Sequence, residues 1–160
     1  MSPRAAWRLE SLGFSEVYDY VDGKNDWMSA GLPTEGTNAQ HPRAGDVARK
    51  DVPTCALTEK LGDVKARVRA QGWDAVVVVN ASRVVFGLLR AKELEKDPEL
   101  LIEQAMRPGP STFRTFVALH EMLHKMVDHK LESSVISTSD GRLVGLLLQE
   151  DVAAALEKDK

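Results

Sequence analysis

His120-Glu121-Met122-Leu123-His124 has the spacing of a zinc-hydrolase helix, in which two imidazoles one turn apart face a metal ion and the glutamate between them activates water. Residues 116–129 read as a helix, so both histidines share a face, and His129, Glu132 and Glu150 are further ligand candidates. The signature stops there. Where the extended motif continues with Gly-x-x-His, this chain runs Lys125-Met126-Val127-Asp128-His129, and no third ligand is specified. Leu119, Met122 and Met126 claim the buried side of the same helix and leave His120 and His124 on its rim. Solvated or interface histidines are the reading carried forward. A zinc-dependent hydrolase through His120, Glu121 and His124 stays as an alternative.

Cys55 is the other intrinsically reactive residue. Its apolar neighbours Val52, Ala56 and Leu57 point to a small core residue rather than a low-pKa nucleophile. A single cysteine builds neither an internal disulfide nor a Cys-rich zinc site and fits a reducing compartment, the cytoplasm. The 160 residues are 43% hydrophobic and 28% charged, the balance of an ordinary globular chain with one or two small domains. A net charge of −3 supplies no cationic excess for nucleic acid, and Lys65, Arg67 and Arg69 read as a solvated helix face. Ala75–Val79 and Val84–Leu89 fall far short of the about 18–20 apolar residues of a membrane span. Met1-Ser2-Pro3-Arg4 has no apolar signal core, so neither nucleic acid, membrane nor secretion is expected.

The elements that must hold such residues fall into three stretches. Ser2-Pro3 starts a helix that Gly13 ends, Val17–Val21 alternates like a strand, and Gly23 turns into a short helix near Asp26–Ala30. Trp7 and Trp27 are expected as packing residues of this α-β-α piece. Residues 37–50, rich in turn and polar types, read as a linker. Beyond it the order helix, strand, strand, helix occurs twice, and an offset of 58 carries Gly87 to Gly145. The same offset carries Leu61 to Leu119, Val64 to Met122, Val68 to Met126, Trp73 to Leu131 and Val78 to Ile136. Matching apolar positions without a gap indicate a duplication, and units this short must pack on each other to bury a core. Met106, Met122 and Met126 are core fillers.

The doubled pattern resembles a tandem pair of cystathionine beta-synthase (CBS) domains. In copy two it is carried by Thr112 to Leu119 and by the run Ser133 to Asp151 with Asp140-Gly141-Arg142. In copy one it is carried by Asp51-Val52-Pro53-Thr54, Ala75 to Asn80 and Val84 to Glu93. The resemblance implies an α/β fold of two βαββα repeats with short sheets, copy one over 51–97 and copy two over 98–157. It also implies an adenosine-containing regulatory ligand (AMP, ADP, ATP or S-adenosylmethionine), a homodimer, and regulation rather than catalysis. In the family a Ser/Thr and an Asp hold phosphate and ribose, since a carboxylate accepts both vicinal hydroxyls. Here the first position is Arg90 or Leu148 and the second Glu93 or Asp151. Asp151 is the best ligand candidate, with Ser111, Thr112, Leu131 and Ser133 around the same cleft. The cap of the last helix is an equal reading for Asp151. In copy one the candidates are Thr54, Trp73, Ala75, Arg90 and Glu93, with Arg90 as a charged phosphate donor. A dimerisation scaffold without nucleotide is the alternative.

Residues 1–36 resemble the C-terminal fragment of a rhodanese-like domain, through Ser2-Pro3-Arg4-Ala5-Ala6-Trp7-Arg8-Leu9, Gly13-Phe14, Val17-Tyr18, Gly23-Lys24, Asp26-Trp27 and Gly31-Leu32-Pro33. That family's sulfur-accepting cysteine precedes this helix, so sulfurtransferase activity is not expected of this polypeptide.

Overall fold

The structure, a computed structural model, describes residues 2–36 and 41–158. Residues 37–40 of the expected linker lie outside the described residues. Helix α1 (Ser2–Ser11) starts at the serine-proline pair, and α2 spans Gly23–Ser29. The strand expected at Val17–Val21 does not form: the segment runs as coil, with no sheet edge to pair with. Local side-chain contacts hold the segment instead. Tyr20 meets Trp27 edge to face at 5.4 Å, its hydroxyl donates to Asp26 at 2.6 Å, and Trp27 Nε1 donates to the Pro33 carbonyl at 2.8 Å. Trp27 makes these local contacts while 36% exposed, and Trp7 stays 67% exposed, so neither is the buried core residue expected.

The expected linker also carries structure. Helix α3 (Ala44–Val47) lies within it, with Ala44 fully buried. Copy one continues with β1 (Thr54–Cys55), α4 (Leu61–Ala70), β2 (Val76–Val79), β3 (Val85–Leu89) and α5 (Ala91–Leu94). Copy two follows with α6 (Ile102–Ala105), β4 (Arg107–Pro108), β5 (Thr112–Arg114), α7 (Leu119–Asp128), β6 (Ser133–Ser137), β7 (Leu143–Leu148) and α8 (Gln149–Lys158). One sheet has the order β1-β2-β3-β4 and the other β5-β6-β7. In each, the first pair is parallel and the hairpin antiparallel, with a register irregularity at the matching positions Val78/Val79 and Ile136/Ser137.

The residue pattern accounts for these elements. Helix α4 buries Leu61, Val64 and Val68 and α7 buries Leu119, Met122 and Met126, one apolar stripe at helical spacing in each. Burying each such side chain stabilises by about 1.5–3 kcal/mol. Strand β2 is apolar throughout because both its faces are covered. Val76 and Val78 meet the core under α4, while Val77 enters a second core with Leu88, Val135 and Leu146 that joins the two sheets.

The copies also exchange their leading arms. Ala44 and Ala48 pack with Leu119, Met122 and Leu147 of copy two, while Ile102 and Ala105 pack with Leu61, Val64 and Leu89 of copy one. The hydrogen bonds repeat the exchange. Ala44 N–H donates to the Val117 carbonyl at 2.9 Å, and at the corresponding positions Ile102 N–H donates to Glu59 at 3.0 Å. Arg49 bridges to Leu146 of β7, as Arg107 pairs with Leu88 of β3. This close approach explains the glycine at the shared motif: a Cβ on Gly145 would lie 2.6 Å from the Arg49 carbonyl oxygen, and one on Gly87 would strike Met106.

Candidate ligand-binding cleft

Where the two copies meet, a cleft of about 990 Å³ opens between the starts of β2 and β6 on one side and the starts of α5 and α8 on the other. It is lined at equivalent positions of both copies: Asp74 and Glu132, Ala75 and Ser133, Arg90 and Leu148, Ala91 and Gln149, Lys92 and Glu150. Trp73, Gln71, Gly72, Arg49 and Asp51 complete the wall. The turn ending α4 positions Trp73: Gly72 adopts φ +74°, and Trp73 N–H closes back on the Val68 carbonyl at 3.1 Å. Arg90 ties the copies together, its Nη2 donating to the Ser133 carbonyl at 3.0 Å and its Nε to Ser133 Oγ at 3.4 Å.

One family profile, the CBS domain, matches residues 44–96 and again 102–158. This chain belongs to the CBS domain family. A curated relative, an uncharacterised protein of Methanopyrus kandleri, is 27% identical over 116 residues, which are 68% of this chain and 59% of that protein. Among solved structures, the cytosolic domain of the Mg2+ channel MgtE in complex with ATP superposes with a TM-score of 0.65 at 22% identity, over 71% of this chain and 48% of that one. The CBS domain pair of protein MJ0100, in complex with 5′-methylthioadenosine and S-adenosyl-L-methionine, superposes with a TM-score of 0.66 at 15% identity, over 75% and 99%. The curated relative and the MgtE domain are thus both matched over less than two thirds of their own length.

Within this CBS pair the candidate residues separate into two groups. Trp73, Ala75, Arg90 and Ser133 line the cleft. Thr54, Glu93, Ser111, Thr112 and Leu131 do not. The Thr54 carbonyl accepts from Arg67, and Thr112 Oγ1 accepts from Arg114, each bond bracing a neighbouring segment. Glu93 accepts the Arg90 backbone N–H at 3.0 Å and so holds the first turn of α5, while Leu131 packs into the copy-two core and Ser111 is exposed. Asp151 stands in the first turn of α8, where its charge suits the helix start, and it is not among the residues that line the cleft. Its carboxylate takes a two-point ion pair from Arg49, Nε to Oδ2 at 2.6 Å and Nη2 to Oδ1 at 2.8 Å, and the same Nη2 reaches Glu150 at 3.1 Å. The bond to Asp151 raises the guanidinium pKa above its ordinary value. Arg49 also lies 5.8 Å over the Trp73 ring.

Composition places Arg49 in the linker, yet the repeat offset carries Ala44, Ala48 and Arg49 to Ile102, Met106 and Arg107. Extending the register seven residues toward the N-terminus was the signal that could have found it. The remaining reactive groups have structural surroundings. Burial pushes the Cys55 thiol up to about 12, with Glu59 adding to the rise. His120 is exposed, His124 pairs with Asp128 at 3.4 Å, and Glu121 holds Lys125 at 2.7 Å. Among the described residues no three metal-ligating side chains come together, and no helix is long and apolar enough to cross a membrane.

Proposed function

We propose that the chain is a regulatory module that takes an adenosine-containing ligand, an adenine nucleotide or S-adenosylmethionine, in the cleft between its two CBS copies. The observation that carries this reading is the cleft itself, which matching segments of both copies line together and whose wall holds an aromatic residue, Trp73, and a guanidinium, Arg90. A purine stacks on an aromatic face, and a phosphate accepts charge-assisted hydrogen bonds from such a donor. Trp73, Ala75, Arg90 and Ser133, which line it, and Asp151, bound to Arg49 of its wall, are the residues assigned to it. Two structurally similar proteins, the MgtE domain and the MJ0100 pair, hold adenosine compounds, which supports the ligand class. A ligand contacting both copies binds one of their mutual arrangements better than another and so shifts a partner's state by that difference. Binding rather than catalysis is the role, exercised in the cytoplasm by a homodimer of CBS pairs. Residues 1–36 belong to the same reading as the closing fragment of a rhodanese-like domain, supported by the residue pattern alone.

Thermal-shift and calorimetric titration with ATP, ADP, AMP and S-adenosylmethionine tests the proposal. A ligand at a hundred times its Kd should stabilise the native chain by about 2.7 kcal/mol, and Asp151→Ala or Trp73→Ala should reduce the effect. Absence of binding by all four would overturn the sensor reading in favour of a dimerisation scaffold.

A further inference from the structure

The Asp151 carboxylate, the acid read above for a ribose diol, already accepts a bond from Arg49 at each of its oxygens. The donating residue comes from the other copy. Arg49 arrives on the exchanged arm, its backbone fixed against β7 by N–H to the Leu146 carbonyl at 2.9 Å and by its own carbonyl accepting the Leu146 N–H at 3.0 Å. The side chain beyond this fixed backbone is 41% exposed on the cleft wall. The same guanidinium lies 5.8 Å over the Trp73 ring, so one side chain meets both the acid and the aromatic face assigned to the ligand. At the equivalent place in copy one the arrangement differs: Glu93 accepts the Arg90 backbone N–H.

Resting on the adenosine reading above, we propose that Arg49 is a specificity-determining residue that makes the cleft select phosphate-bearing nucleosides over uncharged or cationic ones. An adenosine that displaced Arg49 from Asp151 would strip the guanidinium of its two-point partner, leave it only the single contact to Glu150, and return nothing to it. A nucleotide exchanges partners: its phosphate accepts the two-point donation of Arg49, and the released Asp151 accepts the ribose hydroxyls. Both members of the broken Arg49–Asp151 pair then keep a partner. S-adenosylmethionine, with a sulfonium in place of a phosphate, supplies no such exchange.

Calorimetric titration of the full chain with adenosine, AMP, ATP and S-adenosylmethionine tests this, comparing native protein with R49A and R49K. The native chain should bind AMP and ATP at least about 10-fold tighter than adenosine or S-adenosylmethionine. In R49A, adenosine should tighten by about 10-fold and the preference for AMP over adenosine should fall toward unity. R49K keeps the charge but not the planar fork, and an intermediate preference in that variant guards against an R49A chain that merely unfolds. Native protein that takes adenosine as tightly as AMP, or an R49A preference equal to the native one, would overturn the role of Arg49 and leave the adenosine reading standing. Failure of all four compounds to bind either native protein or R49A would remove both.

Discussion

Ser134 shows how a single position departs from its twin. Its hydroxyl is buried without a hydrogen-bond partner, while the corresponding residue of copy one is Val76, fully buried in an apolar core. An unpartnered polar group loses its hydration on folding and regains nothing, so Ser134→Ala should stabilise the fold by about 1 kcal/mol and raise Tm by about 2–4 °C in a thermal melt. A fall in Tm would mean that the hydroxyl is satisfied after all. Ser137 is equally buried but accepts from Arg114 Nη1 at 2.6 Å, so the same substitution there removes a bond rather than a defect. Individual site residues were partly legible in the sequence. Trp73, Ala75, Arg90 and Ser133 reach the cleft because they begin or end elements whose faces the repeat already fixed. Glu93 and Thr112 lie outside the cleft lining, because a polar side chain near a helix or strand end serves its own backbone or neighbour as readily as a ligand, and only geometry separates the two.

At the scale of elements, the two copies close their turns with the same backbone and different residues. The turn after α4 uses Gly72 at φ +74°, and the turn after α7 forces Lys130 to φ +52°. In the hairpins the roles reverse, with Arg83 at φ +62° where copy two has Gly141 at +80°. A left-handed backbone costs a residue with a Cβ about 1–2 kcal/mol, against an entropy cost of about 0.5–1 kcal/mol for installing glycine. Lys130→Gly and Arg83→Gly should therefore each stabilise by up to about 1 kcal/mol in urea denaturation, with m unchanged. Destabilisation by either would show that the lost side-chain contacts outweigh the strain. The helices and paired strands of the repeat could be foreseen because their apolar spacing fixes which face is buried. Val17–Val21 could not be placed correctly, since alternation describes a strand only where another strand is present to receive its hydrogen bonds.

Across the whole molecule, the exchange of arms makes the two copies one cooperative unit. Each main core draws on both copies, with Ala44 and Ala48 closing the second and Ile102 and Ala105 the first. Copy one alone, residues 41–100, would lack the arm that caps its core, and residues 101–160 would lack the other. Neither fragment should show a cooperative melt by circular dichroism, whereas an equimolar mixture should regain one. An independently folded fragment would refute that dependence. The pairing of the copies was visible in the sequence as a repeat, but the exchange was not, because a repeat reports which residues correspond and says nothing of which copy's core each one enters.

That exchange bears on how such a chain arose. A single unduplicated unit with the same arm could not cover its own core, and two of them would solve the problem by trading arms as separate subunits. Fusion of two such genes would preserve the contact and release each half from sameness. Arg49 and Arg107, Asp151 and Glu93 would then be free to diverge, and one of two once-identical acids could acquire a guard while its twin was spent on a helix turn.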